Sequence, residues 1–336
     1  MNALPNAPRV SVLLPVRDGA RFLPEAIESV LEQSLRDLEL VVVDDGSRDE
    51  TPTLLADRAG RDTRIRVLRQ GAHGLCAALN HAAGSARAPL LARLDADDIA
   101  LPDRLERQVE FLEHNEDVAV VGGGVIIVDA AGHELDREQG PAIVTLDESN
   151  PLWHSTVTIR AAALSEVGGY RLAPAEDYDL WLRIAERHRL AAVREPVVRY
   201  RVHAGQVSVG SVERQAATTL AVRAAAELRR RGRPDPLLGV QTVDEQQLAR
   251  LGIARDAVRR ATVSAAVEWA AALDRAGLHA EADCLLAETA SHGDGPPLRA
   301  LRRAAQLKLA KRAAYRRRPA EAARRLARAA LLGVGG

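Results

Sequence analysis

The chain has 336 residues, longer than one hydrophobic core usually runs, so one large domain plus a smaller one is the expectation. Lys plus Arg equals Asp plus Glu, 46 against 46, so no overall charge draws the protein to nucleic acid, and two cysteines, Cys76 and Cys284, argue against a disulfide scaffold and for a reducing compartment. The longest nearly uncharged apolar run, Val118–Val128, is too short to span a bilayer, and a strand pattern begins at Val10 where a signal peptide would lie, so a soluble cytoplasmic protein is expected.

Short β-rich runs alternate with helical periods from residue 9 to about 120. Val10–Val16, Leu38–Val43, Ile65–Leu68 and Pro89–Leu94 read as strands. Between the first two, Pro24 opens a helix whose Ile27, Val30, Leu31 and Leu35 recur at helical spacing, and helices at about 50–60 and 74–86 fill the other gaps. Such βαβ text predicts a largely parallel sheet covered by helices. A helix from Pro102 follows, carrying Leu105, Val109 and Leu112, then a strand over Val118–Val128 and a turn at 129–132. Gly140-Pro141 and Asn150-Pro151 mark 136–152 as irregular. Beyond it come a β-like run at Thr156–Ile159, a helix at Ala161–Val167 stopped by Gly168-Gly169, a helix from Asp177 to Arg187 and β-like text from Leu190 to Tyr200. After about Gly210 the text turns Ala-, Arg- and Leu-rich with helical periods. The predicted domains are therefore 1–210, α/β, and 211–336, all-α.

Three acidic clusters stand at the ends of these elements. Asp95 and Asp97 follow an apolar strand, and a turn there can converge both carboxylates on one divalent ion that keeps sites free for phosphates; equally, Asp97 and Asp98 can complement the dipole of the Pro102 helix. Asp44-Asp45-Gly46-Ser47 closes the second strand, where a carboxylate can accept the imide N–H of a pyrimidine or where Asp44 and Ser47 simply build a turn. Glu176, Asp177 and Asp179 occupy the first turn of a helix, as dipole complements or with Asp177 as a general base, and Asp179 and Arg183, four apart, suit an ion pair. Last, Arg199, Arg201 and His203 beyond a β-like run suit a diphosphate or a metal, with an ordinary surface or hydrogen-bonded histidine the alternative for His203.

In this order and on this scaffold the clusters closely resemble the family 2 glycosyltransferases of GT-A fold. The landmarks are Val10–Val16, Val43–Ser47, Leu94–Asp98, Val167–Tyr170, Glu176–Arg183 and Tyr200–His203, and the resemblance runs to about residue 208. It implies a Rossmann-like, mostly parallel sheet flanked by helices, and an inverting, metal-dependent transfer of a sugar from a nucleotide-diphosphate donor, UDP favoured, to a saccharide or lipid-linked saccharide in surface polysaccharide or glycoconjugate synthesis. By resemblance, Asp45 contacts the base, Pro15 and Arg17 lie on the nucleotide side, Asp95 meets the ribose or the metal shell, and Asp97 ligates Mn²⁺ or Mg²⁺ with His203 nearby. Asp177 deprotonates the acceptor, and Trp153, His154 and Glu176 are the acceptor-binding candidates, with core packing the alternative for Trp153. Arg17-Asp18 departs from the family's commoner aromatic and Asn, and no Gln-x-x-Arg-Trp motif follows residue 183, which disfavours the membrane-spanning processive subgroup.

Between Leu298 and Gly336 the text is basic, with Glu321 the one acid, and a helical tail of this kind suits either peripheral contact with anionic lipid or a solvated face. No aromatic platform accompanies it for nucleic acid. Two further classes compete. A nucleotidyltransferase calls for a Gly-rich phosphate loop that residues 15–20 fit poorly, and a non-catalytic nucleotide-sugar-binding module sits badly with intact Asp95, Asp97 and Asp177.

Overall fold

A computed structural model describes residues 8–147, 149–206 and 209–288, together with Arg303, Leu307 and residues 325–327. The chain falls into two compact units: the first comprises residues up to Val128, Glu134–Arg201 and Arg230–Arg233, and the second Asp129–His133, Val202–Arg229 and the described residues from Pro234 on.

The first unit holds β1 (Val10–Val16), α1 (Leu23–Leu31), β2 (Leu38–Asp45), α2 (Thr51–Arg61), β3 (Ile65–Gln70), α3 (Leu75–Ser85), β4 (Leu90–Arg93), β5 (Ile99–Ala100), α4 (Arg104–His114), β6 (Val118–Val128), β7 (Glu134–Glu138), β8 (Thr158–Arg160), α5 (Ala161–Glu166), α6 (Glu176–Ile184) and β9 (Arg189–Arg201). Nine strands make one sheet in the order β3-β2-β1-β4-β8-β6-β9-β5, with β7 paired to β6. β1, β2, β3 and β4 run parallel, as do β6 and β9, whereas β8 is antiparallel to both β4 and β6.

Alternate residues explain the layers. Val10, Val12, Leu14 and Val16 of β1 share one core with Leu38, Leu40 and Val42 of β2, with Ile27 and Val30 of α1, and with Leu105, Val109 and Leu112 of α4. The sheet's other face carries Leu13, Val41 and Val43, and α3, buried through Ala78, Leu79 and Ala82, packs against β1 and β2. Both faces being covered, β1 and β2 are apolar almost throughout rather than alternating. Pro15 falls beyond the last β1–β4 pair, Leu13–Arg93, where a residue without an N–H is tolerated. Two strands depart from the sequence expectation: β5 is only two residues long, and β7 crosses the start of the segment expected to be irregular, because an edge strand of mostly exposed Glu-Leu-Asp-Arg-Glu shows no apolar alternation.

The second unit is helical in the described residues: α7 (Val212–Arg230), α8 (Glu245–Arg250), α9 (Arg255–Arg275) and α10 (His279–Glu288). Asp244 caps α8, its side chain accepting from Gln247 N while the Gln247 side chain accepts from Asp244 N. α9 packs on α10, and Val263, Ala270 and Leu273 of the first and Ala282 and Leu285 of the second are buried. Most of the basic stretch from Leu298 lies outside the described residues; Arg325 within it is buried, bonded to Asp274 at 2.8 Å and Asp283 at 3.0 Å. Cys76 and Cys284 are both free thiols. Among the described residues no helix is long and apolar enough to cross a membrane.

Candidate active site

Because β1, β2 and β4 are parallel, their carboxyl ends share one edge. The chain proceeds from β1 outward through β2 to β3, then returns to β1's other side as β4, which makes the β1/β4 boundary a topological switch point, the place where open α/β sheets leave a crevice. The loops after β1 and β2 are interlocked there. Asp18, at φ 52°, donates its backbone N–H to Ser47 Oγ (2.9 Å) and accepts from Arg48 N through Oδ1 (2.7 Å), while Gly19 N and Ala20 N donate to Thr51 Oγ1 and Asp49 Oδ2, each at 3.0 Å. Aspartate is among the few residues that sit readily in the left-handed region, which accounts for Asp18 where the family text has Asn. Asp44 does build the turn, accepting from Ser47 N at 2.9 Å. Gly46 has φ 76°, and a Cβ there would stand 3.0 Å from Ala72 N, so the turn admits glycine alone without strain.

Asp45, the last residue of β2, is buried with its carboxylate already engaged. Oδ1 accepts from Gln70 Nε2 (2.7 Å) and His73 N (2.9 Å), and Oδ2 from Gly74 N (2.9 Å), which closes the loop leading into α3. A carboxylate offers about four acceptor positions, so roughly one is left. Arg17, by contrast, is half-exposed, 3.9 Å from Asp18.

β4 ends at Arg93, and the chain then turns rather than continuing as a strand. Asp95 N donates to Ser155 Oγ (3.0 Å), Asp98 N to Asp95 O (3.2 Å), and Arg201 at the end of β9 backs the turn, donating N to Asp98 Oδ1 (2.9 Å) and Nε to Asp97 O (2.9 Å). Arg201 is itself fixed by Glu25 Oε2 at 2.7 Å and by the Phe22 ring, 4.7 Å from its guanidinium carbon. Asp95, Asp97 and Asp98 each bring an oxygen within 4.8 Å of the others'. Asp98 is buried, its Oδ2 has no hydrogen-bond partner among the described residues, and burial, then the charges of Asp97 and Asp95, push its carboxyl well above the usual range. Three hard oxygen donors that repel one another, one of them orphaned, fit a divalent cation of the Mn²⁺ or Mg²⁺ kind. Asp98, expected only as a helix-dipole complement, is thus the third member of the cluster. His203 lies in the second unit, its Nδ1 accepting from Gly205 N at 3.2 Å.

At the amino end of α6, Asp177 is half-buried; Oδ1 accepts from Tyr178 N and Oδ2 from Asn150 Nδ2, both at 2.7 Å. Burial raises its carboxyl above the ordinary aspartate value, with Glu176 adding to the rise and His154 and Arg93 opposing it. Glu176 is buried, raised by burial first, and its Oε2 has no partner among the described residues; Oε1 lies 3.6 Å from His154 Nδ1. Burial, then the charge of Arg93, lowers His154 to about 4, so the ring is neutral at pH 7, with Nε2 3.3 Å from Tyr170 Oη. Arg93 is buried, forms an ion pair with Asp95, and acts electrostatically on Glu176, Asp177, His154 and Tyr170. Burial and Glu176 push the Cys76 thiol up to about 12, so it is not a thiolate nucleophile.

A family model described as "Glycosyl transferase family 2" matches residues 11–161. The "Putative glycosyltransferase EpsE" of Bacillus subtilis (strain 168) is 36% identical over 191 residues, 54% of this chain and 68% of that one. The chain belongs to glycosyl transferase family 2. An uncharacterized glycosyltransferase of Haemophilus influenzae is 30% identical over 220 residues, 60% of this chain and 68% of its own. Among solved structures, the mannosyltransferase PcManGT from Pyrobaculum calidifontis, in complex with GDP-Man and Mn²⁺, matches with a TM-score of 0.53 at 23% identity, over 91% of this chain and 88% of that one. TarS 1–349 of S. aureus in complex with UDP-GlcNAc matches with a TM-score of 0.50 at 16% identity, over 83% and 91% of the two chains. At these identities the likeness is one of fold, and the fold is GT-A.

Within this glycosyltransferase, the helix around Asp177 is held more firmly than the spacing of Asp179 and Arg183 implied. Asp179 is fully buried between Arg183 (Nε, 2.9 Å) and Arg171 (Nε, 2.8 Å), the second an unforeseen partner. Trp181 is core, as expected, and Trp153 is half-buried with its ring 4.7 Å from that of Tyr200. Asn150, Arg93 and Ser155 were missed. Arg93 carried a signal, a lone charge closing an apolar strand just ahead of the acids; Asn150, on an irregular loop, carried none.

Proposed function

We propose that this glycosyltransferase uses a nucleoside-diphosphate sugar, UDP-linked by preference, and transfers the sugar with inversion to a hydroxyl of a saccharide or lipid-linked acceptor in surface polysaccharide or glycoconjugate synthesis. The observation that carries this reading is the close set of Asp95, Asp97 and Asp98 at the β1/β4 switch point. Asp97, with Asp95 and Asp98, would hold the divalent ion. When bound, such an ion neutralises charge that builds on the departing diphosphate.

The protein's own groups do the rest. Asp45 offers its remaining acceptor position to the ring N–H of the base, with Pro15 and Arg17 on the nucleotide side. A lone pair of the acceptor oxygen forms the new bond to the anomeric carbon, the bond to the diphosphate oxygen breaks with its electrons leaving on the diphosphate, and Asp177 takes the acceptor's proton. Burial suits Asp177 to this, because a raised carboxyl is a stronger base than an exposed one. Trp153, neutral His154 and Glu176 are assigned to the acceptor, the last supported by its unpartnered Oε2.

A thermal-shift screen of UDP-, GDP- and dTDP-sugars with and without Mn²⁺ tests the reading. A donor at a hundred times its dissociation constant stabilises the fold by about 2.7 kcal/mol, and this shift is expected only with metal and not in Asp97→Ala. No shift with any nucleotide sugar, or a metal-dependent shift that survives Asp97→Ala, would remove the assignment.

A further inference from the structure

The Asn150 amide lies on the segment between β7 and the 3-10 turn at His154–Thr156, and that segment is fixed at several points. Gly140 N donates to Arg194 O (3.0 Å), Leu146 O accepts from Tyr178 Oη (2.7 Å), and Leu152 is buried so close to β6 that a Cβ on Gly122 would stand 2.8 Å from its Cδ2. Asn150 Oδ1 accepts from Leu152 N at 3.2 Å, a local turn that settles which end of the amide is which. With the oxygen committed there, Nδ2 is the end that meets Asp177 Oδ2, and it does so at 2.7 Å. The amide cannot be flipped without setting two donors against each other.

We infer that Asn150 is a positioning residue for the transfer, fixing the Asp177 carboxylate and keeping it in its proton-accepting form; this rests on the assignment of Asp177 as base. A hydrogen bond donated to a carboxylate favours its ionised form, and here it opposes the burial that favours the neutral one. Few other groups can do so. Glu176, on the same helix, pushes Asp177 the wrong way; Tyr170, on the preceding loop, is uncharged because burial holds its phenol above the ordinary value; and His154, from the 3-10 turn, is neutral at pH 7. Tyr178 N, which donates to Oδ1, and Arg93 from β4, which Asp95 shares, act on Asp177 in the same direction as Asn150. Asn150 also holds Oδ2 from one side while Tyr178 N holds Oδ1, so the carboxylate plane is set before an acceptor arrives.

The carboxyl carbon-13 titration of aspartate-labelled protein reads this directly and needs no substrate, with the Asp177 signal assigned by its loss in Asp177→Asn. In Asn150→Ala the Asp177 midpoint is expected to rise by about one pH unit. In Asn150→Asp the local turn to Leu152 N survives, yet an oxygen now faces Asp177 Oδ2, so the two carboxyls must share a proton and titrate as a coupled pair with a still higher upper step. An Asp177 midpoint equal to wild type in both variants, each folded by its melting temperature, would overturn the inference. That outcome leaves the base assignment standing if Asp177→Asn is inactive, whereas wild-type turnover in Asp177→Asn would take both down.

Discussion

Asp177 is useful as a base only if it stays ionised in a half-buried place, and two opposing influences set that condition: burial raises its carboxyl, and charge and hydrogen bonding restrain it. Replacing it by Asn keeps the size and removes the basicity. Turnover in Asp177→Asn is expected to fall by about 10² to 10⁴ while the donor's thermal shift is unchanged, measured by nucleoside diphosphate release beside melting curves. With Asp177 as the base, the wild-type rate is expected to fall as pH drops through its value, with the acid limb of the pH–rate profile above the range of an exposed aspartate. At this scale, Asp45, Asp95, Asp97 and Asp177 were visible in the sequence because each follows or opens a regular element whose period is readable. Asn150 was not, because it reaches Asp177 across 27 residues of sequence from a segment without periodicity. Asp98 is readable either way, since a helix start and a cation site use the same residue type.

The long strands β6 and β9 lie together through glycine. Gly140 is pressed on β9: a Cβ there would sit 2.0 Å from Val193 O and 3.2 Å from Gly123 C, both backbone atoms that cannot swing aside. Gly140→Ala is therefore expected to cost about 1–3 kcal/mol or more, read as a lower denaturant midpoint. Gly60, exposed within α2 with nothing near its missing Cβ, behaves oppositely, and Gly60→Ala should stabilise by about 0.5–1 kcal/mol. A Gly140 variant as stable as wild type would contradict the packing. Elements were legible where burial wrote a pattern: Val10–Val16 and Val118–Val128 have in the structure the bounds their apolar runs predict. β5 and β7 escaped because a two-residue strand has no period and a solvent-facing edge strand has no apolar side.

Across the molecule, one buried carboxylate links four parts of the first unit. Glu39 on β2 accepts from Ser11 Oγ of β1 (2.6 Å), Arg66 Nη1 of β3 (3.0 Å), and Arg87 N and Nε, just before β4, both at 2.7 Å. Burial alone would raise its pKa, but the hydrogen bonds from Ser11, Arg87 and Arg66 outweigh it and the carboxyl is lowered from 4.5. A lowered carboxyl stabilises the fold above its unfolded value and loses that contribution as pH falls through the folded one. Glu39→Gln should thus destabilise by about 2 kcal/mol at pH 7 and progressively less below pH 4.5, followed by urea midpoints across that window. A pH-independent difference would assign the loss to packing instead. The order of the sheet also bears on how the protein is made. β8, three residues long, must enter between β4 and β6 after both have left the ribosome. At about 5 to 20 residues per second, the roughly 70 residues from Arg93 to Arg160 take on the order of 3 to 14 s to synthesise, and for that interval one side of β4 faces nascent chain and solvent alike. Its four-residue length leaves a stray strand little to grip.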